Sequence, residues 1–192
     1  MVSTFGTLVI ADVADEAAAQ RLSDQFREVL GRRFVALQEA ISPSIRNPLD
    51  DTEADVEVGD TSVRVTLLVD GAVAAHAAGE VFDGVGAGRA VMCEDGDEWG
   101  VTVSAWQLTA DEARCVYRAY IPAEDGSVDT DAVARTITGI EPATEVARLF
   151  DVDPDPLVAL DADPSPIRDE IGFYASPFLP WLHALDLGWP EP

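Results

Sequence analysis

The amino-acid sequence predicts a single α+β domain over residues 1–192: a mixed, mainly antiparallel sheet, an N-terminal β-α-β unit, and a helical, Asp/Pro-rich C-terminal third from about residue 129. Three observations carry this expectation. Apolar residues recur at helical spacing most clearly in Asp15 to Leu30. Stretches with strand periodicity, Val63 to Val69 and Trp99 to Trp106 among them, are joined by short polar connections, as antiparallel neighbours require. Beyond Ile121 the strand pattern gives way to helix-forming stretches separated by Gly139 and Pro142. An apolar content of 47% over 192 residues suits one sizeable core better than two small ones.

Taken in order, Thr4 to Ala11 is apolar, rich in β-formers, and opens the sheet. Asp12 or Asp15 can cap the helix that follows, in which Ala18, Leu22, Phe26, Val29 and Leu30 share one face. Gly31 reads as its C-cap, which puts Arg32 and Arg33 at the negative end of the helix dipole. Phe34 to Ala40 then reads as the second strand. Ser42 to Asp55, with Pro43 and Pro48, is a long connection with an acidic end. Val56 to Val58 and Val63 to Val69 form a hairpin across Gly59-Asp60, with Val63, Val65, Leu67 and Val69 on one face and Arg64 and Thr66 on the other. Ala72 to Phe82 is expected to be helical, and the glycines from Gly84 to Gly88 reset the chain. Arg89 to Cys93, Trp99 to Trp106 and Arg114 to Ile121 make a three-stranded meander. Thr130 to Thr138 and Ala143 to Phe150 read as helices, Asp151 to Pro166 as an irregular stretch, and Phe178 to Leu187 as a last helix docked on the body.

Charge narrows the range of partners. All 12 basic residues are arginine, 36 residues are acidic, and the formal net charge is −24. A GC-rich coding bias accounts for missing lysine, and adaptation to salt accounts for a general acidic coat, but either would spread the acids evenly. They are not even: the four successive quarters of the chain carry net charges of −2, −10, −4 and −8. Such a polyanion is repelled by nucleic-acid phosphates and anionic lipid, and it attracts basic proteins or cations. No run approaches the roughly 18 apolar residues of a membrane span, and Met1 to Ala11 has no basic leader region. The expectation is a soluble, cytoplasmic protein with no nucleic-acid or membrane partner.

Motifs for catalysis are weak. Gly84 to Gly88 resembles a phosphate loop only in its glycines, because it opens a strand where a phosphate loop opens a helix. Asp151-Val-Asp153-Pro-Asp155 begins like an EF-hand, but Pro156 and Ala162 stand where glycine and a bidentate glutamate are needed. His76 and His183 are the only histidines; Asp186 lies one helical turn from His183, but no nucleophile elbow accompanies either. Cys93 and Cys115 lack metal or redox spacing and read as buried thiols, with a disulfide between them left open. No cofactor and no metal site is expected.

Two surface patches remain. In the meander, Glu94, Asp95, Asp97 and Glu98 fall in its first turn, and Glu124, Asp125, Asp129 and Asp131 follow its third strand at the same end of the sheet. Eight carboxylates on one rim would speed association with a basic surface by roughly 10- to 1000-fold at low salt. The second patch is aromatic: Phe178, Trp181 and Trp189 belong to the five aromatic residues of the last 20, either closing the core or meeting a partner. The favoured reading is a non-enzymatic acidic protein that binds a basic partner, in the manner of an immunity protein or a nucleic-acid mimic. The alternatives are a small cation-dependent enzyme with an Asp/Glu/His site, and an accessory subunit docking through its aromatic tail.

Overall fold

The computed structural model describes residues 6–40, 52–69, 78–124 and 126–190, apart from the side chains of Leu37, Ala40 and Asp97. The N-terminal unit is β1 (Gly6–Val13), α1 (Glu16–Ala40) and β2 (Glu53–Val58), followed by β3 (Val63–Val69), β4 (Gly88–Asp95), β5 (Val101–Leu108) and β6 (Ala113–Ile121). Five helices complete the chain: α2 (Thr130–Ala134), α3 (Ile140–Phe150), α4 (Asp155–Ala162), α5 (Ser165–Arg168) and α6 (Leu179–Ala184). The strands form one sheet in the order β2-β3-β1-β4-β5-β6, and every described pairing is antiparallel. No helix among the described residues is long and apolar enough to cross a membrane.

The expected α+β architecture is present, with corrections at several boundaries. The strand of the N-terminal unit that follows the helix is β2; Phe34 to Ala40 is helical. Gly31 does not stop α1, because glycine inside a helix costs only about 1 kcal/mol against alanine and the residues beyond it find partners. Arg32 donates to Glu80 at 2.9 Å and lies 4.0 Å from Glu28 one turn earlier. The two arginines are therefore mid-helix and act through neighbouring acids, not through the dipole of a helix end. Of the expected helix from Ala72 to Phe82, only Ala78–Phe82 lies within the described residues, as a short 3₁₀ turn. The expected connection from Ser42 lies outside them up to Asp51, and its acidic end, Glu53 to Asp55, is strand.

The Asp/Pro-rich stretch is helical as well, since its prolines start helices instead of breaking them. Pro156, Pro166 and Pro180 occupy the first turns of α4, α5 and α6, where no intrahelical N–H bond is required. Asp153 accepts from the Asp155 amide at 3.0 Å and Asp163 from the Ser165 amide at 3.1 Å, so these acids serve helix starts. Asp151 takes a left-handed conformation that ends α3. Conversely, helix α2 stops at Ala134, and Ile137 exchanges two backbone hydrogen bonds with Arg118 of β6 at 2.8 and 2.9 Å.

The sheet carries a core on each face. On the first face α1 packs Leu22, Phe26 and Leu30 over Val9, Val65, Leu67 and Met92, joined by Val81, Phe82 and Trp106. On the second, Leu8, Ile10, Cys93, Val103 and Ala119 meet Val146, Phe150, Leu157, Ile167, Phe178, Trp181 and Leu182 of the C-terminal helices. Strands β1, β4 and β5 are thus buried on both faces, which is why they read as near-continuous apolar runs. Cys93 faces the second core and Cys115 packs against the first, so the sheet itself separates the thiols and both are free. Burial pushes the Cys93 thiol far above its ordinary value, leaving essentially no thiolate to react.

Two side-chain constellations pin the layers together. Asp12 of β1 stands in register with Arg64 of β3 and Arg89 of β4. It accepts from Arg64 through both oxygens at 2.7 and 3.0 Å, and from Arg89 Nε at 2.8 Å. Arg89 also donates to the Leu149 carbonyl at 3.0 Å and lies 4.7 Å from the Phe150 ring centre, so it fixes the end of α3 to the sheet. On the same face the Tyr117 hydroxyl donates to Asp161 of α4 at 2.6 Å, and the other oxygen of Asp161 takes the Gly139 amide at 2.7 Å. One carboxylate thereby ties β6 to the start of α3 and to α4.

Burial by itself would raise the Asp12 carboxyl, but hydrogen bonds from Arg64 and Arg89, and then their charges, outweigh it and hold the group below the ordinary aspartate range. Its stabilising contribution is therefore present above about pH 4, the unfolded aspartate value, and is lost as pH falls through the lower folded value. Asp12→Asn is expected to lower the urea midpoint at neutral pH and to flatten its decline at acid pH. Asp12→Ala, which leaves two cations facing each other, should cost about 2–3 kcal/mol. Urea titrations of both variants between neutral and acid pH check this. Cys93 should stay unreactive toward a thiol reagent until the protein unfolds globally.

Candidate functional site

The helical layer on the second face is narrower than the sheet. It covers β1, β4, β5 and β6, meets β3 at Leu68 and leaves β2 uncovered, so β3 alternates buried and half-buried residues while β2 is exposed along its whole length. The result is a cleft of about 850 Å³ between the uncovered strands and the end of the chain.

Its wall on the sheet side is set by register. Glu53, Asp55 and Glu57 pair with Leu68, Thr66 and Arg64, all of which line the cleft, so the three carboxylates form a rail along one face of β2. A strand advances about 3.4 Å per residue, so neighbouring Cα atoms of the rail are roughly 6.8 Å apart. That spacing does not gather three ligands around one ion; no group of three metal-ligating side chains occurs among the described residues. Arg64, the one cation among the described residues that line the cleft, is already committed: its charged form is favoured first by the hydrogen bond to Asp12, and Glu57 and Asp186 add to it.

The opposite wall is aromatic. Trp189 stacks on Phe178 at 6.1 Å and meets Tyr174 edge-on at 5.5 Å. Phe178 is anchored in the second core, whereas Tyr174 is 58% exposed at the cleft mouth. The segment that presents Tyr174 turns sharply, with Gly172 at φ 95° and Ala175 at φ 66°. Positive φ at an alanine costs on the order of 1–3 kcal/mol, a strain that persists only where surrounding structure enforces it. Here the enforcing contacts are Pro177 and Phe178, both buried immediately after the turn.

The rim expected from the sequence is only partly on the surface. Its two segments do meet: the Tyr120 hydroxyl donates to the Trp99 carbonyl at 2.5 Å and accepts from the Asp129 amide at 2.9 Å. Gly126 lies so close to Glu98 that a Cβ there would fall 1.7 Å from the Glu98 carbonyl oxygen. Glu94 and Asp95, however, are not in a turn. β4 runs through both, leaving them 6% and 4% exposed on opposite faces. Glu94 faces the α1 side, where its charge and that of Glu80 partly offset the lowering that burial imposes on Arg33. Asp129 caps α2 by accepting the amides of Asp131 and Ala132, and Asp131 pairs with Arg135 at 2.9 Å. Glu98 and Glu124 remain exposed without such a local role; Asp125 and the side chain of Asp97 lie outside the described residues.

The aromatic patch is likewise internal in part. Phe178 and Trp181 are core residues and Trp189 is half-buried, so the exposed tail aromatics are Phe173 and Tyr174. His183 is exposed and does not line the cleft, Asp186 meets it only through a backbone bond, and His76 lies outside the described residues. The glycine loop opens β4 as expected, and Arg21 of α1 holds its Val85 carbonyl at 3.1 Å.

The cleft residues on β2 lie outside both patches expected from the sequence, although the sequence carries their signal. Glu53-Ala-Asp55-Val-Glu57-Val alternates acid with apolar, the period-2 pattern of a strand with one charged face.

Fold and site together define an α+β protein with a doubly covered antiparallel sheet and one open, acid-lined edge. No known family model matches the chain, and no curated protein or solved structure shows significant similarity to it.

Trp189→Ala removes the support between Phe178 and Tyr174 and should cost about 1–3 kcal/mol in urea unfolding, from two ring contacts and lost burial. Tyr174→Ala should cost less than about 1 kcal/mol, since its ring is mostly in solvent.

Proposed function

We propose that this protein is a non-enzymatic binding protein that engages a basic protein partner, and that it does so in the cleft between β2 and the C-terminal tail. The observation that carries this is the pairing of a three-carboxylate rail with an aromatic wall across one open groove. Carboxylates supply charge and hydrogen-bond acceptors to guanidinium or ammonium groups, and an exposed tyrosine face attracts the same cations. Glu98 and Glu124 at the rim add a negative field, whose effect is on the rate of encounter.

The geometry does not favour acid–base chemistry on a substrate in the same groove. The carboxylate pair of a glycoside hydrolase flanks the reacting bond from two sides, and that of an aspartic protease shares one proton at about 3 Å, whereas Glu53, Asp55 and Glu57 stand in a row on one wall with their Cα atoms roughly 6.8 Å apart. Among the described residues, those lining the cleft include no histidine, cysteine or serine. The accessory-subunit reading is weakened by the burial of Phe178 and Trp181, which places the tail in the protein's own core.

Capture from native lysate with immobilised protein tests the reading. Wild type should retain a basic protein at low salt and release it as salt rises, because exposed charge pairs are screened within about 10 Å at 0.1 M salt. Glu53→Gln/Asp55→Asn/Glu57→Gln should abolish retention while leaving the urea midpoint unchanged or raised, since it relieves like-charge repulsion. Glu98→Gln/Glu124→Gln should slow association and leave release almost unaltered. Absence of any retained basic protein, or retention indifferent to the triple substitution, would overturn the proposal.

A further inference from the structure

We infer that the partner enters as an extended strand that pairs with the outer edge of β2, presenting basic side chains at alternate positions to the cleft. The inference rests on the reading that the cleft takes a basic partner, and it adds the conformation and the side-chain pattern of the segment bound.

The two edges of the sheet differ. At β6 the outer edge is occupied at Arg118, which exchanges both backbone bonds with Ile137. At β2 no described residue pairs with the outer edge, so alternate N–H and C=O groups of Glu53 to Val58 point away from β3. Proteins blunt such edges with proline, a bulge, an inward charge or charged side chains along the edge; β2 has no proline and its pairing with β3 runs without a bulge, so its guard is the row of acids on the cleft face, which a basic strand neutralises.

The side chains say what kind of strand fits. Directly opposite residues on paired strands interact on the same face, so an added strand would set every second residue against Glu53, Asp55 and Glu57. The roughly 6.8 Å repeat of the rail equals the repeat of any added strand, so each carboxylate meets one cation without distortion. The intervening residues of the partner would lie over Val56 and Val58, which are 46% and 66% exposed on the other face. The matching segment therefore alternates basic and apolar residues. A second copy of this protein is the wrong occupant, because pairing β2 with β2 would set rows of acids against each other. Tyr174, across the cleft, adds a ring face for a guanidinium.

Three synthetic peptides of about nine residues, long enough to span an average strand, separate strand addition from charge attraction alone. One alternates arginine and valine, one carries the same residues in two blocks, and one is the alternating peptide N-methylated at every second residue on the pairing edge. The alternating peptide should bind on the order of tenfold tighter than the block peptide, should slow amide exchange across residues 53–58, and should lose binding on N-methylation. Equal binding of all three, abolished by Glu53→Gln/Asp55→Asn/Glu57→Gln and with no amide protection in β2, would overturn strand addition while leaving the basic-partner reading intact. Binding of none of them, with no basic protein captured from lysate, would remove both. Amide protection of β2 that rises with protein concentration in the absence of peptide would mean that a second copy occupies the edge, and would overturn the inference.

Discussion

The carboxylate of Asp12, held between Arg64 and Arg89, marks the line along which the second face of the sheet changes from covered to open. On one side Arg89 reaches under α3 through Leu149 and Phe150. On the other, Arg64 borders the cleft. Three charged residues in register across β3, β1 and β4 are tolerable there because the site is only half-buried and each donor has an acceptor. A fully buried triad of this kind would repay little of its desolvation cost. The helical layer ends where the sheet ceases to be apolar on this face, and the cleft follows from that shortfall.

The acids of β2 have two consequences that cannot be separated in the folded protein. An exposed edge bearing Val56 and Val58 would template association with other chains, and a row of carboxylates discourages pairing with any neutral or acidic strand. In the proposed function the same row selects for a basic one. Specificity of this sort arises from repulsion as much as attraction, which fits a chain whose net charge is −24.

Much of the fold was legible because its signals are local. Alternation in Val63 to Val69 marked β3 and its buried face, the 3.6 period from Ala18 to Leu30 marked α1, and the meander of β4, β5 and β6 showed in three strand runs with short acidic connections. The errors share a cause: residues that punctuate structure on average were outweighed by position. Gly31 has the look of a C-cap, yet the helix continues through it, and Arg32 beyond it meets Glu28 and Glu80. The composition of Asp151 to Pro166 suggests an irregular stretch, yet Pro156 and Pro166 sit in first turns, where they cost nothing. Glu94 and Asp95 follow the apolar run Arg89 to Cys93 and look like the meander's first turn, but β4 extends through them to pair with Thr102 and Val101.

By itself the sequence determined the first helix, most of the strands and a net charge that repels anions, because periodicity and charge are properties of short stretches and of the total. Only the tertiary structure decided which acids matter. Pairing of β1 with β3 on one side and β4 on the other is long-range, and it alone puts β2 at the edge and Glu94 beneath α1. Two short acidic strings that look alike in the chain, Glu53 to Glu57 and Glu94 to Glu98, therefore differ in standing: the first lines an open groove, while the second is buried at Glu94 and Asp95 and exposed at Glu98, because strand order and the reach of the covering helices are set by the packing of the whole sheet.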